Sequence, residues 1–207
     1  MSVFVRLLPA LTLAFACAAP ASASLTTVFA DTFEDGDVAD WSVTKSGNNI
    51  SVPQAIVRTD SVHSGNGALW TFFDAPSGGT GAGTVRASHQ FTAPVAADYT
   101  LTLWARSSAC SGCTMSYDVL VDNVSLTRTF APDTFEQRTF QLSGLGAGTH
   151  TLTLGMHTTA ASSGRFQATF DDVSITTLAP VPEPQSVALL LAGLGVVGAM
   201  VRRRQRG

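Results

Sequence analysis

Between residues 99 and 157 the chain alternates apolar and polar side chains, and that alternation restricts the folds open to it. In "YTLTLWAR", Tyr99, Leu101, Leu103 and Ala105 fall on one side, with Thr100, Thr102, Trp104 and Arg106 on the other. "MSYDVLVD" sets Met115, Tyr117, Val119 and Val121 against Ser116, Asp118, Leu120 and Asp122. "THTLTLGMH" sets His150, Leu152, Leu154 and Met156 against Thr151, Thr153 and His157. A period of two belongs to extended chain with one face buried, hence to antiparallel strands. Further strands are expected at 26–33, 55–59, 68–73, 84–91, 124–130, 135–142 and 166–177, separated by turn clusters such as "SGNG", "LGAG" and "ASSG". No segment before residue 186 has a helical period. Many short strands joined by regular turns predict an all-β, two-sheet antiparallel sandwich over residues 24–178.

The two ends are of another kind. Arg6 precedes an apolar stretch from Leu7 to Ala19, Pro20 breaks it, and Ala21-Ser22-Ala23 offers a small-x-small cleavage site. This is the layout of a secretory signal peptide over residues 1–23. A lipoprotein cleavage at Cys17 is disfavoured by bulky Phe15. At the far end, Pro182-Glu183-Pro184 closes a proline-rich linker (179–185), and an apolar run follows from Val187 to Val201. Arg202, Arg203, Arg204 and Arg206 end the chain. The run reaches only ~22 Å as a helix, against a ~30 Å hydrocarbon core. Its basic end and lack of a polar face favour a membrane helix over a buried helix of the domain, with the arginines on the cytoplasmic side.

A Pro-Glu-Pro triplet, a hydrophobic segment and a basic tail, in that order, closely resemble the PEP-CTERM sorting signal. The resemblance implies recognition by an exosortase in the inner membrane of a Gram-negative bacterium. It also implies transient anchoring through residues 186–207, cleavage near the motif, and delivery to the cell surface or extracellular matrix. Proteins of that family are associated with exopolysaccharide and biofilm.

Removing the ends changes the charge. The chain has 12 basic and 15 acidic residues, but five of the basic ones lie in the two signals and only Glu183 of the acidic ones does. The body therefore carries net charge near −7, with a single lysine, Lys45. Such a domain is a poor partner for nucleic acid, whose phosphates demand basic patches. Cys110 and Cys113 remain in "SSACSGCTMS". Export favours a disulfide between them, a short staple, over a metal or redox role.

Three further segments, "FADTFEDGDVADWSV", "DSVHSGNGALWTFF" and "ATFDDVSITT", resemble carbohydrate-binding modules and galactose-binding-like domains. The matching positions are Phe33, Glu34, Gly36 and Trp41, then Ser64, Gly65, Ala68 and Leu69, then Asp171, Asp172 and Val173. The resemblance implies a jelly-roll sandwich with a structural Ca2+ held between the first and last strands. Glu34 and Asp172 stand at the ligand positions, Asp31 could add a carboxylate, and carbonyls near Gly65 could complete a shell of oxygens. The alternative is that these acids cap turns and solvate a loop. For a glycan, Trp104 could stack on a sugar ring while Arg106, Asp118 and His157 hydrogen-bond its hydroxyls; otherwise Trp104 is core.

Catalysis has little support. There is no H-E-x-x-H, G-x-S-x-G or P-loop, and only three glutamates: Glu34, Glu136 and Glu183. Asp118 and Asp122 would share a strand face, as alternate positions of an extended chain do. His63, His89, His150 and His157 lack metal-ligand spacing, and His150 reads as a satisfied core residue. The expectation is a non-enzyme that binds or organises extracellular polysaccharide. The alternatives are a structural surface or matrix protein acting through protein contacts, and a polysaccharide hydrolase or lyase.

Overall fold

The computed structural model describes residues 24–48, 50–75, 81–108, 114–129, 133–161, 164–178 and 185–205. These form β1 (Leu25–Asp31), β2 (Ser42–Asn48), β3 (Ser51–Arg58), β4 (Ala68–Ala75), β5 (Gly81–Ala93), β6 (Ala97–Ser108), β7 (Thr114–Val121), β8 (Val124–Thr129), β9 (Glu136–Leu145), β10 (Gly148–Ala161), β11 (Gly164–Leu178) and α1 (Gln185–Arg204). Signal residues 1–23, the pair Cys110 and Cys113, and Pro182, Glu183 and Pro184 lie outside the described residues.

The strands make two antiparallel sheets. One has the order β3-β4-β11-β6-β9 with β1 added to β11, and the other runs β2-β5-β10-β7-β8. Alternation decides which side chains meet between them. Tyr99, Leu101, Leu103 and Ala105 of β6 face Tyr117, Val119 and Val121 of β7 and Leu152, Leu154 and Met156 of β10 in one core. Burying a Leu-sized side chain contributes roughly 1.5–3 kcal/mol, so this layer dominates stability. Leu25–Leu178 is one compact unit, and α1 lies outside it.

Four expectations need correction. β2 was not expected: "SVTKSGN" lacks alternation because it is an exposed edge strand with only Val43 packed against the core. β3 starts at Ser51 rather than at residue 55. β1 stops at Asp31, two residues early, because Phe33 turns the chain with φ 57°. Asp122 does not share a strand face with Asp118. It opens a two-residue hairpin turn with Asn123, both at positive φ (51° and 64°), a conformation that Asn and Asp tolerate better than most residues.

Candidate functional site

The four side chains expected to hold a glycan are divided between opposite faces of the sandwich. Asp118 (β7) and His157 (β10) point outward from the five-stranded sheet. Trp104 and Arg106 (β6) point outward from the six-stranded one. Two packed sheets, ~10 Å apart, separate them. Sequence alternation gave each residue its face relative to its own strand, but not the sheet its strand would join.

On the five-stranded sheet, Arg86, Gly155 and Asp118 sit abreast on β5, β10 and β7. Arg86 reaches across Gly155 and donates to Asp118 Oδ2 from Nη2 at 2.6 Å and from Nε at 3.3 Å. The carboxylate is fully buried and the guanidinium is 28% exposed. A Cβ at position 155 would lie 2.7 Å from Arg86 Cγ, so glycine is required for this crossing. Ser88 and Thr153 share a hydrogen bond of 2.8 Å in the neighbouring row, and His157 lies between Thr84 and Ser116. Desolvating an ion pair costs about as much as it returns, so such a pair is weak evidence for stability alone.

The other outer face is aromatic. Trp70 and Phe72 of β4 stack at 3.7 Å, with Arg58 3.9 Å above Trp70 and Arg165 5.2 Å from Phe72. They are thus buried although they point away from the core. Trp104 is no bare platform: His63 stacks on it at 3.7 Å and 12°. Arg106 faces Phe135 and approaches Asp133 at 3.4 Å.

His63 joins Trp104 to the second expected site, which lies at a seam in β11. That strand pairs with β4 through Phe170 and with β1 from Val173 onward. Between them Asp172 adopts φ 48° and the register with β6 shifts. The change of partner turns two adjacent carboxylates toward the 59–67 loop. Asp171 is buried and accepts the amides of His63 (2.8 Å), Ser64 (3.1 Å) and Asp172 (2.7 Å). Burial pushes its carboxyl up, against the pull of those amides. Asp172 Oδ2 meets His63 Nδ1 at 2.7 Å, and both its oxygens accept from Ser64 Oγ at 2.9 Å.

Glu34 reaches the same loop and accepts the amides of Asn66 (2.8 Å) and Gly67 (3.0 Å). Those amides, Asn66 first, hold its carboxyl below the usual range, and the charge of Asp172 opposes them. Gly65 at φ 60° lies where any Cβ would collide with the Glu34 carboxylate. Asp31, the further carboxylate expected near the ion, has both oxygens engaged by the first turn. Its oxygens accept Phe33 N at 2.8 Å and Trp41 Nε1 at 2.7 Å, which fixes the first turn against the core. The cation-type cluster formed among the described residues is His63, Asp171 and Asp172. Sequence reading missed His63, whose only signal was its place in the "HSG" turn.

Beyond the sandwich the sequence continues through Pro182-Glu183-Pro184 into α1, whose last turn carries Arg202, Arg203 and Arg204. Residues 180–204 match the PEP-CTERM protein-sorting motif. The PEP-CTERM tail indicates export and membrane-anchored sorting before processing. Among the described residues no helix is long and apolar enough to cross a membrane. The expected transmembrane helix is corrected accordingly: the apolar run is short, and Gln185 and three arginines occupy the ends of α1.

The domain ahead of the PEP-CTERM tail is similar in fold to solved carbohydrate-binding modules. One is TmCBM61 in complex with beta-1,4-galactotriose, at 15% identity over 70% of this chain and 92% of that chain, TM-score 0.50. Another is the CBM22-1 xylan-binding domain from Paenibacillus barcinonensis, at 14% identity over 78% and 100%, TM-score 0.50. The tandem CBM22-1–CBM22-2 domain of that organism matches at 13% identity over 80% and 48%, TM-score 0.51. These likenesses establish a jelly-roll β-sandwich. No curated protein matches the chain in sequence.

Proposed function

We propose that this exported sandwich is a non-catalytic protein that binds extracellular polysaccharide across the outer face of its five-stranded sheet. An exosortase would deliver it to the surface of a Gram-negative cell. The observation that carries this reading is the Arg86–Asp118 pair laid across Gly155. It presents a partly exposed donor fork, held in place by Asp118, among Ser, Thr and His side chains, groups suited to sugar hydroxyls. The export motif and the fold shared with carbohydrate-binding modules support the same reading.

A structural Ca2+ at the β11 seam forms part of the proposal. The donor set suits a hard cation: Glu34 and Asp172 supply carboxylates, with Asp171 behind them, and Phe33 and Asp172 both hold strained positive φ. The ion would neutralise the acids gathered there. His63 would have to yield its hold on Asp172.

Retention of the full chain on matrix polysaccharide from the producing organism, with a glycan array alongside, tests the binding face. Arg86→Lys keeps the charge but loses the fork, and His157→Ala removes a ring from the same face; both should weaken retention about tenfold, roughly 1.4 kcal/mol. Trp104→Ala should retain polysaccharide. Retention lost only in Trp104→Ala would move the site to the other sheet, and no retention by the parent chain would leave a structural matrix role.

A further inference from the structure

A shallow groove crosses the outer face of the six-stranded sheet at the end where the chain leaves the sandwich. Leu25, Leu178, Thr176, Thr100, Gln141 and Asp98 line it, and its volume is about 350 Å³. Leu25 and Leu178 are cross-strand partners on β1 and β11 and are 72% and 63% exposed. Thr100 donates to Gln141 at 3.3 Å across its floor, and Asp98 Oδ1 accepts the amide of Gly144 at 2.7 Å. Strands β5, β7 and β9 finish at this end, at Ala93, Val121 and Leu145. Two large apolar side chains so placed serve neither the core nor the polar sheet face.

We infer that this groove is a docking surface for the membrane enzyme that removes the sorting tail. The inference rests on the processing expected of the PEP-CTERM motif, which begins two residues beyond Leu178. Glu183 is five residues past Leu178, and an extended chain covers at most ~3.4 Å per residue, or ~17 Å in all. An enzyme that closes a catalytic cleft around Pro182–Pro184 therefore has its surface against this end of the sandwich. Chain length brings the enzyme to this end, and of the exposed apolar side chains there, which include Val95 and Val124, Leu178 and its cross-strand partner Leu25 stand at the point where the tail leaves the sandwich. An anionic lipid surface fits less well, because no lysine or arginine lines the groove and its charged residue is Asp98.

The test is pulse–chase of the full chain in cells that carry the processing system, scoring loss of the arginine tail. Thr100→Lys with Gln141→Lys fills the groove far from the motif in sequence and should slow tail removal about tenfold (~1.4 kcal/mol of binding), with an unchanged melting curve. Gln137→Lys with Thr139→Lys, on the same sheet but outside the groove, should process at the parent rate. Glu183→Ala reports on the underlying processing and should block it. Parent-rate processing of the groove variant overturns the inference while leaving tail removal intact. So does equal slowing in both lysine pairs, or groove-dependent sedimentation of the tail-less protein with phosphatidylglycerol vesicles. A parent chain that never loses its tail overturns both readings. If the lysine pair lowers the melting temperature, Leu178→Ser, exposed and outside the motif, replaces it with the same expected slowing.

Discussion

His150 has both ring nitrogens aimed at acceptors: Nδ1 at Asp122 Oδ2 (2.6 Å) and Nε2 at the carbonyl of Gly146 (2.9 Å). A carboxylate and a carbonyl only accept, so both contacts are made as hydrogen bonds only when both nitrogens carry protons, which favours the imidazolium. It ties the β7–β8 turn to the β9–β10 turn, and it is a turn clamp rather than the core residue that alternation predicts. The hydrogen bond to Asp122 raises its pKa, burial opposes, and the Gly146 carbonyl adds to the rise. Burial alone would push Asp122 up, but His150 and the Thr151 amide outweigh it and leave the carboxyl low. A raised histidine stabilises fully below its unfolded pKa, and the benefit is lost as pH rises through the folded value. The depressed aspartate stabilises above its unfolded pKa, and that benefit is lost as pH falls through the folded value. The clamp is therefore strongest between about pH 4 and 6.5. His150→Gln should cost roughly 1–2 kcal/mol at pH 5.5 and much less at pH 8.5. Thermal melts across that range check it; an equal cost at both values would exclude the charged clamp.

At the scale of elements, the seam in β11 is where the first and last strands are joined. Losing β4 and gaining β1 within three residues leaves Asp171 and Asp172 turned to the 59–67 loop, whose amides and Ser64 hydroxyl they hold. A cation bound only by the folded seam stabilises by mass action, about 2.7 kcal/mol at a hundredfold excess over Kd. For a domain of this size that raises Tm by roughly 5–10 °C. Glu34→Gln and Asp172→Asn should each remove most of that increment. Melting curves in chelator and in millimolar calcium decide; identical curves for the parent chain would sink the ion. Gly65→Ala should lower Tm even in chelator, because a Cβ there collides with Glu34 at an already left-handed φ.

For the whole molecule, one end of the sandwich carries the tail attachment, and the proposed polysaccharide face lies along the five-stranded sheet. The residues of the β5-β10-β7 surface all belong to the compact unit Leu25–Leu178. Removal of both signals should therefore leave the fold intact. Intact mass of the exported protein should lack Cys17 and Arg202 to Arg206, and thiol labelling of Cys110 and Cys113 should require reduction first. Mature protein that keeps the arginines, or native protein that labels rapidly, would refute the corresponding step.

Alternation in residues 99–157, with regular turn clusters and no helical period before residue 186, was enough to predict two packed sheets, because half-buried strands without helices to cover them bury their apolar sides against each other. The PEP-CTERM tail was equally legible, since a sorting signal is read as linear sequence. Edge strand β2 was not legible, because a strand exposed on both faces has no hydrophobic period to betray it. Neither was the composition of the sites. Trp104 and Asp118 looked alike on paper, each a functional group on the polar side of a strand. Which sheet each strand joins depends on hydrogen bonds between segments far apart in sequence. The same long-range pairing laid Arg86 over Gly155, brought His63 onto Trp104 and set His150 between Asp122 and the Gly146 carbonyl. Those juxtapositions exist only after the strands have found their neighbours, so only the tertiary structure decided them.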